Sequence, residues 1–160
     1  MIDPTRILFI HGSESSSQTY KAGLLREQFP GMLTPDFTGT LDARLAQLEG
    51  IIADTTGWTL VGSSLGGLMA AIFAARHPGQ VRKLVLLAPA LVLPEFEPYA
   101  GGQIPVPAVV IHGSRDDVVP PGPVLELARK VFPKLTYITV DDDHRLHKTA
   151  GELDWKSILE

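Results

Sequence analysis

The sequence predicts an α/β protein with three layers, in which helices cover both faces of a doubly wound, mostly parallel sheet. Short apolar runs alternate with longer segments of helical periodicity along the whole chain. Most of these runs are continuously apolar, as expected for strands that are covered on both faces. Such alternation favours parallel strands joined by crossover helices. No repeat, linker or low-complexity tract interrupts the 160 residues, so one domain over residues 1–160 is expected.

Six apolar runs are the strand candidates, at residues 7–10, 31–34, 59–61, 83–87, 108–111 and 135–140. Helical spacing of apolar residues predicts helices at 18–29, 41–54 and 122–132. A segment rich in small residues that stops before Pro78 predicts another helix at 64–76. The pattern Thr149-x-x-Glu152 resembles a capping box and predicts that a last helix opens there. The segment 93–107 contains four prolines and a Gly-Gly pair, so it is expected to be a long loop.

Composition and charge exclude several classes of function. The net charge is −4 and basic residues do not cluster beyond pairs, which argues against nucleic acid as a partner. The chain has no cysteine, so covalent catalysis would need a hydroxyl nucleophile. The longest apolar stretch, 84–93, is about half of a membrane span, and no basic segment followed by a long apolar one opens the chain. A cytoplasmic protein without a membrane partner is expected, and the oligomeric state stays open.

The segment 62–67, Gly-Ser-Ser-Leu-Gly-Gly, joins an apolar run to an Ala-rich segment. Gly-x-Ser-x-Gly at a strand-to-helix junction is the pattern of a nucleophile elbow. The serine of such a turn has a strained backbone, and glycines on both sides remove Cβ atoms that would collide with it. Gly62 and Gly66 satisfy this requirement for Ser64, whereas Ser63 has valine and leucine at the matching positions. The candidate nucleophile is therefore Ser64.

Polar segments follow four strand candidates, at the edge where open parallel sheets bind ligands. These segments are 11–14, 62–66, 112–120 and 141–144. In chain order they supply Ser64, Asp116 and His144. This order differs from those of the chymotrypsin and subtilisin types and is that of α/β-hydrolases.

On these residues the chain resembles a small serine esterase of the α/β-hydrolase family, without a cap domain, over nearly its whole length. Besides the elbow, the matching motifs are His11-Gly12-Ser13, Gly113-x-x-Asp116-x-x-Val119-Pro120 and Asp143-His144-Arg145-Leu146. They are similar to the oxyanion loop, the acid loop and the loop of the general base, respectively. The resemblance implies a six-stranded parallel sheet that lacks the first two strands of larger relatives.

The roles of these residues follow from their chemistry. The hydroxyl of Ser64 needs a base to accept its proton, and His144 would be that base. Asp116 would hold the imidazole in the required tautomer and stabilise its protonated form. The backbone N–H groups of Ser13 and Leu65 would form the oxyanion hole, where one lost donor costs about 2.7–4 kcal/mol.

Two of these assignments have a neighbouring rival. One residue of the pair Asp116 and Asp117 is expected to be a turn residue, and the motif spacing favours Asp116 as the acid. His147 rivals His144 by proximity, but His144 directly follows the turn after the last strand. The other three histidines, His11, His77 and His112, are expected to be structural.

Neither a metal nor an organic cofactor is expected. Asp141, Asp142 and Asp143 precede His144, but consecutive residues cannot all face one ion without an unusual loop. The candidate substrate contacts are His11, Phe96 and Tyr99, the last two on the segment 93–107 that could roof the site.

The predicted function is hydrolysis of a small carboxylic ester through an acyl-enzyme on Ser64. A thioester or an activated amide would follow the same mechanism. The alternatives are a binding or scaffold protein that retains the fold, and a C–C or dienelactone-type hydrolase. The fold alone does not decide between them.

Overall fold

A computed structural model describes all 160 residues, and its centre is a sheet of five parallel strands in the order β1-β2-β3-β4-β5. The strands are β1 (Ile7–Ile10), β2 (Trp58–Ser63), β3 (Val81–Leu87), β4 (Ala108–Gly113) and β5 (Leu135–Val140). Every residue of β1 and β4 is buried, because helices cover both faces of these strands. The predicted α/β class and parallel sheet are confirmed.

Seven α-helices flank the sheet. They are α1 (Tyr20–Gln28), α2 (Leu41–Ile52), α3 (Leu65–Arg76), α4 (Glu97–Ala100), α5 (Pro121–Val131), α6 (His147–Glu152) and α7 (Trp155–Leu159). Buried residues of α2, α3 and α5 pack on one face of the sheet, and those of α1, α6 and α7 pack on the other. Successive strand residues point to opposite faces, so each strand contributes to both cores. None of the helices is long and apolar enough to cross a bilayer.

The predicted six-stranded sheet is wrong by one strand. The segment 31–34 contributes a single parallel bridge, between Leu33 and Leu8, at the outer edge of β1. Gly31 has a φ of 100°, so the backbone enters the segment in a left-handed conformation. Pro35, which follows the segment, has no N–H to extend the ladder. Pairing therefore stops after two hydrogen bonds, from Leu33 N–H to Ile7 O and from Phe9 N–H to Leu33 O.

The chain end also differs from the prediction. Two short helices, α6 and α7, replace one long helix, and Thr149 lies inside α6 rather than at an N-cap. The Thr149 side chain donates to Asp142 instead of capping a helix. Asp154 caps α7 by accepting a hydrogen bond from Ser157 N–H.

The segment 93–107 is partly helical rather than an irregular loop. It contains a 3-10 turn at Pro94–Phe96 followed directly by α4. Phe96 is buried in the core on the α3 and α5 side of the sheet.

The connections place a crevice at one end of the sheet. After β1 the chain runs outward to Leu33 and then returns past β1 to form β2. The loops that leave β1 and β2 therefore diverge to opposite sides, which is the point where doubly wound sheets bind ligands. Ser13 follows β1 and Ser64 follows β2.

Candidate active site

Ser64 occupies a strained turn between β2 and α3. Its φ of 56° and ψ of −114° lie in a region that residues with a side chain rarely adopt. Four hydrogen bonds hold this conformation. Ser64 N–H donates to Leu87 O at 2.9 Å, and Ser64 O accepts from Gly67, Leu68 and Ala90 at 3.0–3.2 Å. The backbone that presents the Ser64 hydroxyl is therefore fixed by its surroundings.

Gly62 and Gly66 are required for close backbone approach rather than for clearance from the serine itself. A Cβ on Gly62 would lie under 3.0 Å from the backbone of Gly66 and Gly67. A Cβ on Gly66 would lie equally close to the carbonyl oxygens of Ile10 and His11. The two glycines of the motif thus allow the start of α3 to pack against the ends of β1 and β2.

We expect Gly66→Ala to lower the free energy of unfolding by about 2–3 kcal/mol, because the clash involves backbone atoms that cannot rotate away. Urea denaturation followed by circular dichroism measures this change. Gly50→Ala is the matched control, since a Cβ there meets nothing within 4 Å and Gly50 is exposed on α2. The control should be neutral or stabilising by about 0.5–1 kcal/mol. Equal stability of the two variants would contradict this account of the elbow.

The side chains of Ser64, His144 and Asp116 form a continuous hydrogen-bonded chain. His144 Nε2 lies 3.1 Å from Ser64 Oγ, and His144 Nδ1 lies 2.7 Å from Asp116 Oδ2. The Asp116 side chain is fully buried, whereas that of His144 is 20% exposed. A proton on Nδ1 would be donated to the carboxylate and would leave Nε2 free to accept from the serine hydroxyl.

The turn after β4 holds the carboxylate of Asp116. Asp116 Oδ1 accepts hydrogen bonds from Val118 N–H and Val119 N–H, both at 2.8 Å. Burial alone would raise the pKa of Asp116, but hydrogen bonds from Val119, His144 and Val118 outweigh it and lower the pKa below its ordinary value of 3.8. Asp116 is therefore ionised at neutral pH. The neighbouring Asp117 is exposed.

His112 supplies a second imidazole to the same carboxylate. Its Nε2 lies 3.1 Å from Asp116 Oδ2 and 3.0 Å from Val119 O, and its ring is fully buried. Both neighbours are acceptors, so Nε2 must bear a proton. Nδ1 has no hydrogen-bond partner. His112, expected only to shape its loop, thus also contacts Asp116 directly.

The loops that contain Asp116 and His144 touch each other through their backbones. A Cβ on Gly113 would lie under 3.0 Å from the carbonyl oxygens of Asp142 and Asp143. Arg115 N–H donates to Asp142 O at 3.0 Å, and this contact joins the two loops. The glycine of the acid-loop motif therefore allows the acid and base loops to meet.

Asp142 fastens the loop of His144 to α6. Its buried carboxylate accepts from Asp143 N–H at 2.7 Å, and from the N–H and hydroxyl of Thr149 at 3.0 and 2.7 Å. Burial by itself raises the pKa of Asp142, but these hydrogen bonds lower it overall below its ordinary value of 3.8. Of the three consecutive aspartates, Asp142 is the buried one, and Asp141 pairs with Arg115 at the surface.

Asp142 is expected to make stability depend on pH in the acid range. Its pKa is lower in the folded state, so its contribution is present above the ordinary pKa of 3.8 and is lost as pH falls through the folded value. The stability difference between wild type and Asp142→Asn should therefore shrink as the pH is lowered from about 6 to about 3. Denaturant titrations at several pH values measure it. Asp141→Asn, at an exposed position, is the control, and a difference for Asp142→Asn that stays constant with pH would contradict the prediction.

The backbone N–H groups predicted to form the oxyanion hole are those of Ser13 and Leu65. Ser13 follows β1, and its N–H donates to no acceptor in the protein. Leu65 begins α3, so its N–H has no carbonyl of its own helix to bind. The buried side chain of Arg44 donates to Ser13 O at 3.2 Å and to Gly39 O at 3.0 Å, and so fixes the Ser13 peptide.

Ser64 and His144 open into a cavity of about 600 Å³, within the usual size of small-molecule sites. Its other lining residues come mainly from the loop after β1, the start of α1 and the loop after β5. They include Gly12, Ser13, Glu14, Ser15, Thr19, Tyr20, Lys21, Val118, Arg145 and His147. The rival base His147 lies at this cavity but stacks on Tyr20 at 3.9 Å, away from the Ser64 hydroxyl. No group of three side chains in the protein is arranged to hold a metal ion.

Of the three candidate substrate contacts, His11 lines the cavity, whereas the assignments of Phe96 and Tyr99 must be corrected. His11 lines the cavity but is buried, and its ring nitrogens contact Gly12 O at 2.7 Å and Phe37 N–H at 2.8 Å. Both nitrogens therefore serve the fold. Phe96 is 1% exposed within the core, and Tyr99 bonds Arg76 at 2.9 Å. Neither aromatic residue lines the cavity, because α4 packs against α5 and away from Ser64.

Sequence reasoning missed Lys21 and Arg145 at the cavity and Arg44 beneath the oxyanion loop. Arg145 directly follows His144, so its place at the same sheet edge was available from the motif. Lys21 and Arg44 lie on helices, and nothing in the local sequence indicates which loop they face.

Comparison with known proteins supports the same architecture. A family model described as the α/β-hydrolase fold matches residues 52–105, which include the elbow. No curated protein matches the sequence. Among solved structures, mouse α/β hydrolase domain-containing protein 10 superimposes with a TM-score of 0.80 at 22% identity, covering 95% of this chain and 87% of that one.

Two bacterial structures are also similar. A protein from Xanthomonas campestris pv. campestris assigned to the α/β superfamily of hydrolases has 28% identity and a TM-score of 0.74, with 91% of this chain and 90% of that one covered. Est1E from Butyrivibrio proteoclasticus, with ferulic acid bound, has 16% identity and a TM-score of 0.73, with 96% and 89% covered. Together with the sheet topology, these matches show that the chain has a minimal α/β-hydrolase fold.

Proposed function

We propose that the protein is a serine hydrolase that cleaves a small carboxylic ester through an acyl-enzyme on Ser64. The observation behind this proposal is the hydrogen-bonded chain from Ser64 Oγ through His144 to Asp116, at distances of 3.1 and 2.7 Å. A strained serine backbone at the mouth of a cavity supports the same assignment. So does the resemblance of the fold to proteins assigned to the hydrolases.

In the first half-reaction, Ser64 Oγ attacks the ester carbonyl carbon while His144 Nε2 takes the hydroxyl proton. The carbonyl oxygen becomes an oxyanion, and the N–H groups of Ser13 and Leu65 donate to it. The N-terminal end of α3, with its positive partial charge, stabilises the same oxygen. Collapse of the tetrahedral species breaks the bond to the alcohol oxygen, which leaves with the proton from His144.

In the second half-reaction, a water molecule attacks the carbonyl carbon of the acyl-enzyme, and His144 takes a proton from this water. The carboxylic acid then departs and the Ser64 hydroxyl is restored with that proton. Asp116 keeps its charge throughout and stabilises the protonated imidazole. His112 donates to the same carboxylate and so helps to orient it. Every step uses the protein's own residues and water, so this proposal needs no cofactor.

A panel of p-nitrophenyl esters of increasing chain length tests the proposal. We expect turnover of acetate and butyrate esters and little turnover of long-chain esters, because few apolar side chains line the cavity. A fluorophosphonate probe should label the wild type. A thioester substrate would show whether the same site accepts that bond. A well-folded wild-type protein that neither turns over these esters nor reacts with the probe would favour a binding or scaffold role.

A further inference from the structure

Two cationic side chains, those of Lys21 and Arg145, line the cavity that contains Ser64 and His144. Neither forms an ion pair with a carboxylate of the protein within 4.0 Å. The catalytic mechanism proposed above uses neither of them.

Lys21 lies on the first turn of α1 and is half-buried. Its Nζ donates to Arg145 O at 2.5 Å, which leaves two of its three N–H donors without a protein acceptor. Burial lowers the pKa of Lys21, the carboxylates of Asp142 and Asp143 raise it, and the charge of Arg145 lowers it further. The hydrogen bond from Lys21 Nζ to Arg145 O brings Lys21 next to the backbone of Arg145, and both side chains line the same cavity.

Arg145 is exposed, and its guanidinium makes no hydrogen bond within the protein. None of the three aspartates at 141–143 forms an ion pair with this guanidinium. Asp141 pairs with Arg115, Asp142 accepts from Thr149, and Asp143 accepts from the backbone N–H of Arg145. The planar donors of this guanidinium match the geometry of a carboxylate or a similar oxyanion.

The rest of the lining offers little to an apolar substrate. Its apolar side chains are Phe9, Tyr20 and Val118. Glu14 is the one carboxylate of the lining and is exposed on the loop after β1. The nearest partner of Lys21 is a backbone carbonyl rather than Glu14. Lys21 and Arg145 are therefore the two cations of the lining, and both lie beside the loop that contains His144.

We propose that the substrate of this site is an ester that bears an anionic group, such as a carboxylate, which Lys21 and Arg145 bind together. This inference rests on the proposed ester hydrolysis and specifies its substrate class. Lys21 and Arg145 are then specificity-determining residues, because they bind a part of the substrate that does not react.

Two pairs of esters test this inference, each matched in size and differing in charge. para-Acetoxybenzoate and para-acetoxybenzamide place the charge on the leaving group. Monomethyl glutarate and the methyl ester of glutaric acid monoamide place it on the acyl group. For each pair the measured quantity is the ratio of kcat/KM for the anionic ester to that for the neutral ester.

We expect a ratio of about ten or more for at least one pair in the wild type. Lys21→Gln and Arg145→Gln should each lower that ratio several-fold, and added salt should lower it too. Lys148→Gln removes an exposed cation from α6 outside the cavity and should leave the ratio unchanged. Because the quantity is a ratio within one variant, a partial loss of folded protein does not change it.

Wild-type ratios of one or below for both pairs would overturn the inference, as would a high ratio that neither glutamine variant reduces. In either case, labelling of the wild type by a fluorophosphonate and turnover of the neutral esters would leave the proposed function intact. Absence of labelling and of all turnover would overturn both.

Discussion

Ser64→Ala should lower kcat for ester hydrolysis by about 10⁶-fold, because loss of the nucleophile of a triad removes nearly all of its contribution. The Ser64 hydroxyl lies 3.1 Å from His144 Nε2, the only base of the protein in contact with it. Folding should survive the change. The backbone at residue 64 is held by hydrogen bonds of its N–H and C=O, which alanine retains.

Ser63→Ala is the matched control for this variant. Ser63 directly precedes Ser64, ends β2 and lines the cavity, but its hydroxyl makes no hydrogen bond to His144. We expect this control to keep kcat within about tenfold of the wild type. Intact-mass spectrometry after brief exposure to p-nitrophenyl acetate should detect an acetyl adduct on wild type and on Ser63→Ala but not on Ser64→Ala. Equal activity of Ser64→Ala and the wild type would contradict the acyl-enzyme mechanism.

Asp116→Asn should lower kcat by about 10⁴-fold while leaving KM nearly unchanged, because it acts on the histidine rather than on the substrate. An asparagine amide can donate to His144 Nδ1, which would then lack its proton and place a proton on Nε2 instead. Nε2 could no longer accept from Ser64. This loss in kcat should exceed the loss caused by removal of a single oxyanion donor, which is about 10²–10³-fold.

Asp117→Asn is the control that separates the two neighbouring aspartates. Asp117 is exposed, whereas Asp116 lies 2.7 Å from His144 Nδ1. Steady-state kinetics with p-nitrophenyl acetate should find the Asp117 variant within a few-fold of the wild type. A larger loss at Asp117 than at Asp116 would reverse the assignment of the acid.

Most of the fold could be predicted because its strands are continuously apolar, α2 and α5 have apolar residues at helical spacing, and α3 is rich in small residues. The bridge at Leu33 could not be separated from a full strand, since pairing there ends for reasons of backbone conformation at Gly31 and Pro35. The prediction of a helix start at Thr149-x-x-Glu152 was wrong because the Thr149 hydroxyl donates a hydrogen bond to Asp142, seven residues earlier. A local motif does not show such a competitor.

The candidate site was predictable where short motifs follow strand ends, as at Ser64, Asp116 and His144. Parallel strands bring their carboxyl ends to one edge, so these residues could be assigned to it without a structure. The substrate contacts could not be assigned in this way. Phe96 and Tyr99 belong to the core or the cavity according to how the segment around α4 packs, and here they pack against the core. Lys21 reaches the cavity because α1 lies close to the loop that contains His144.

The backbone contact of Gly113 with Asp142 and Asp143 has a consequence for the design of variants. The acid and base loops behave as one module, so a graft of either loop from a homologue would import a mismatched surface against the other. Exchange of 113–120 together with 140–149 would keep the match. By contrast, Glu14 and Ser15, which line the cavity from the loop after β1, could be diversified separately to change the substrate range, with His11 and Ser13 kept in place.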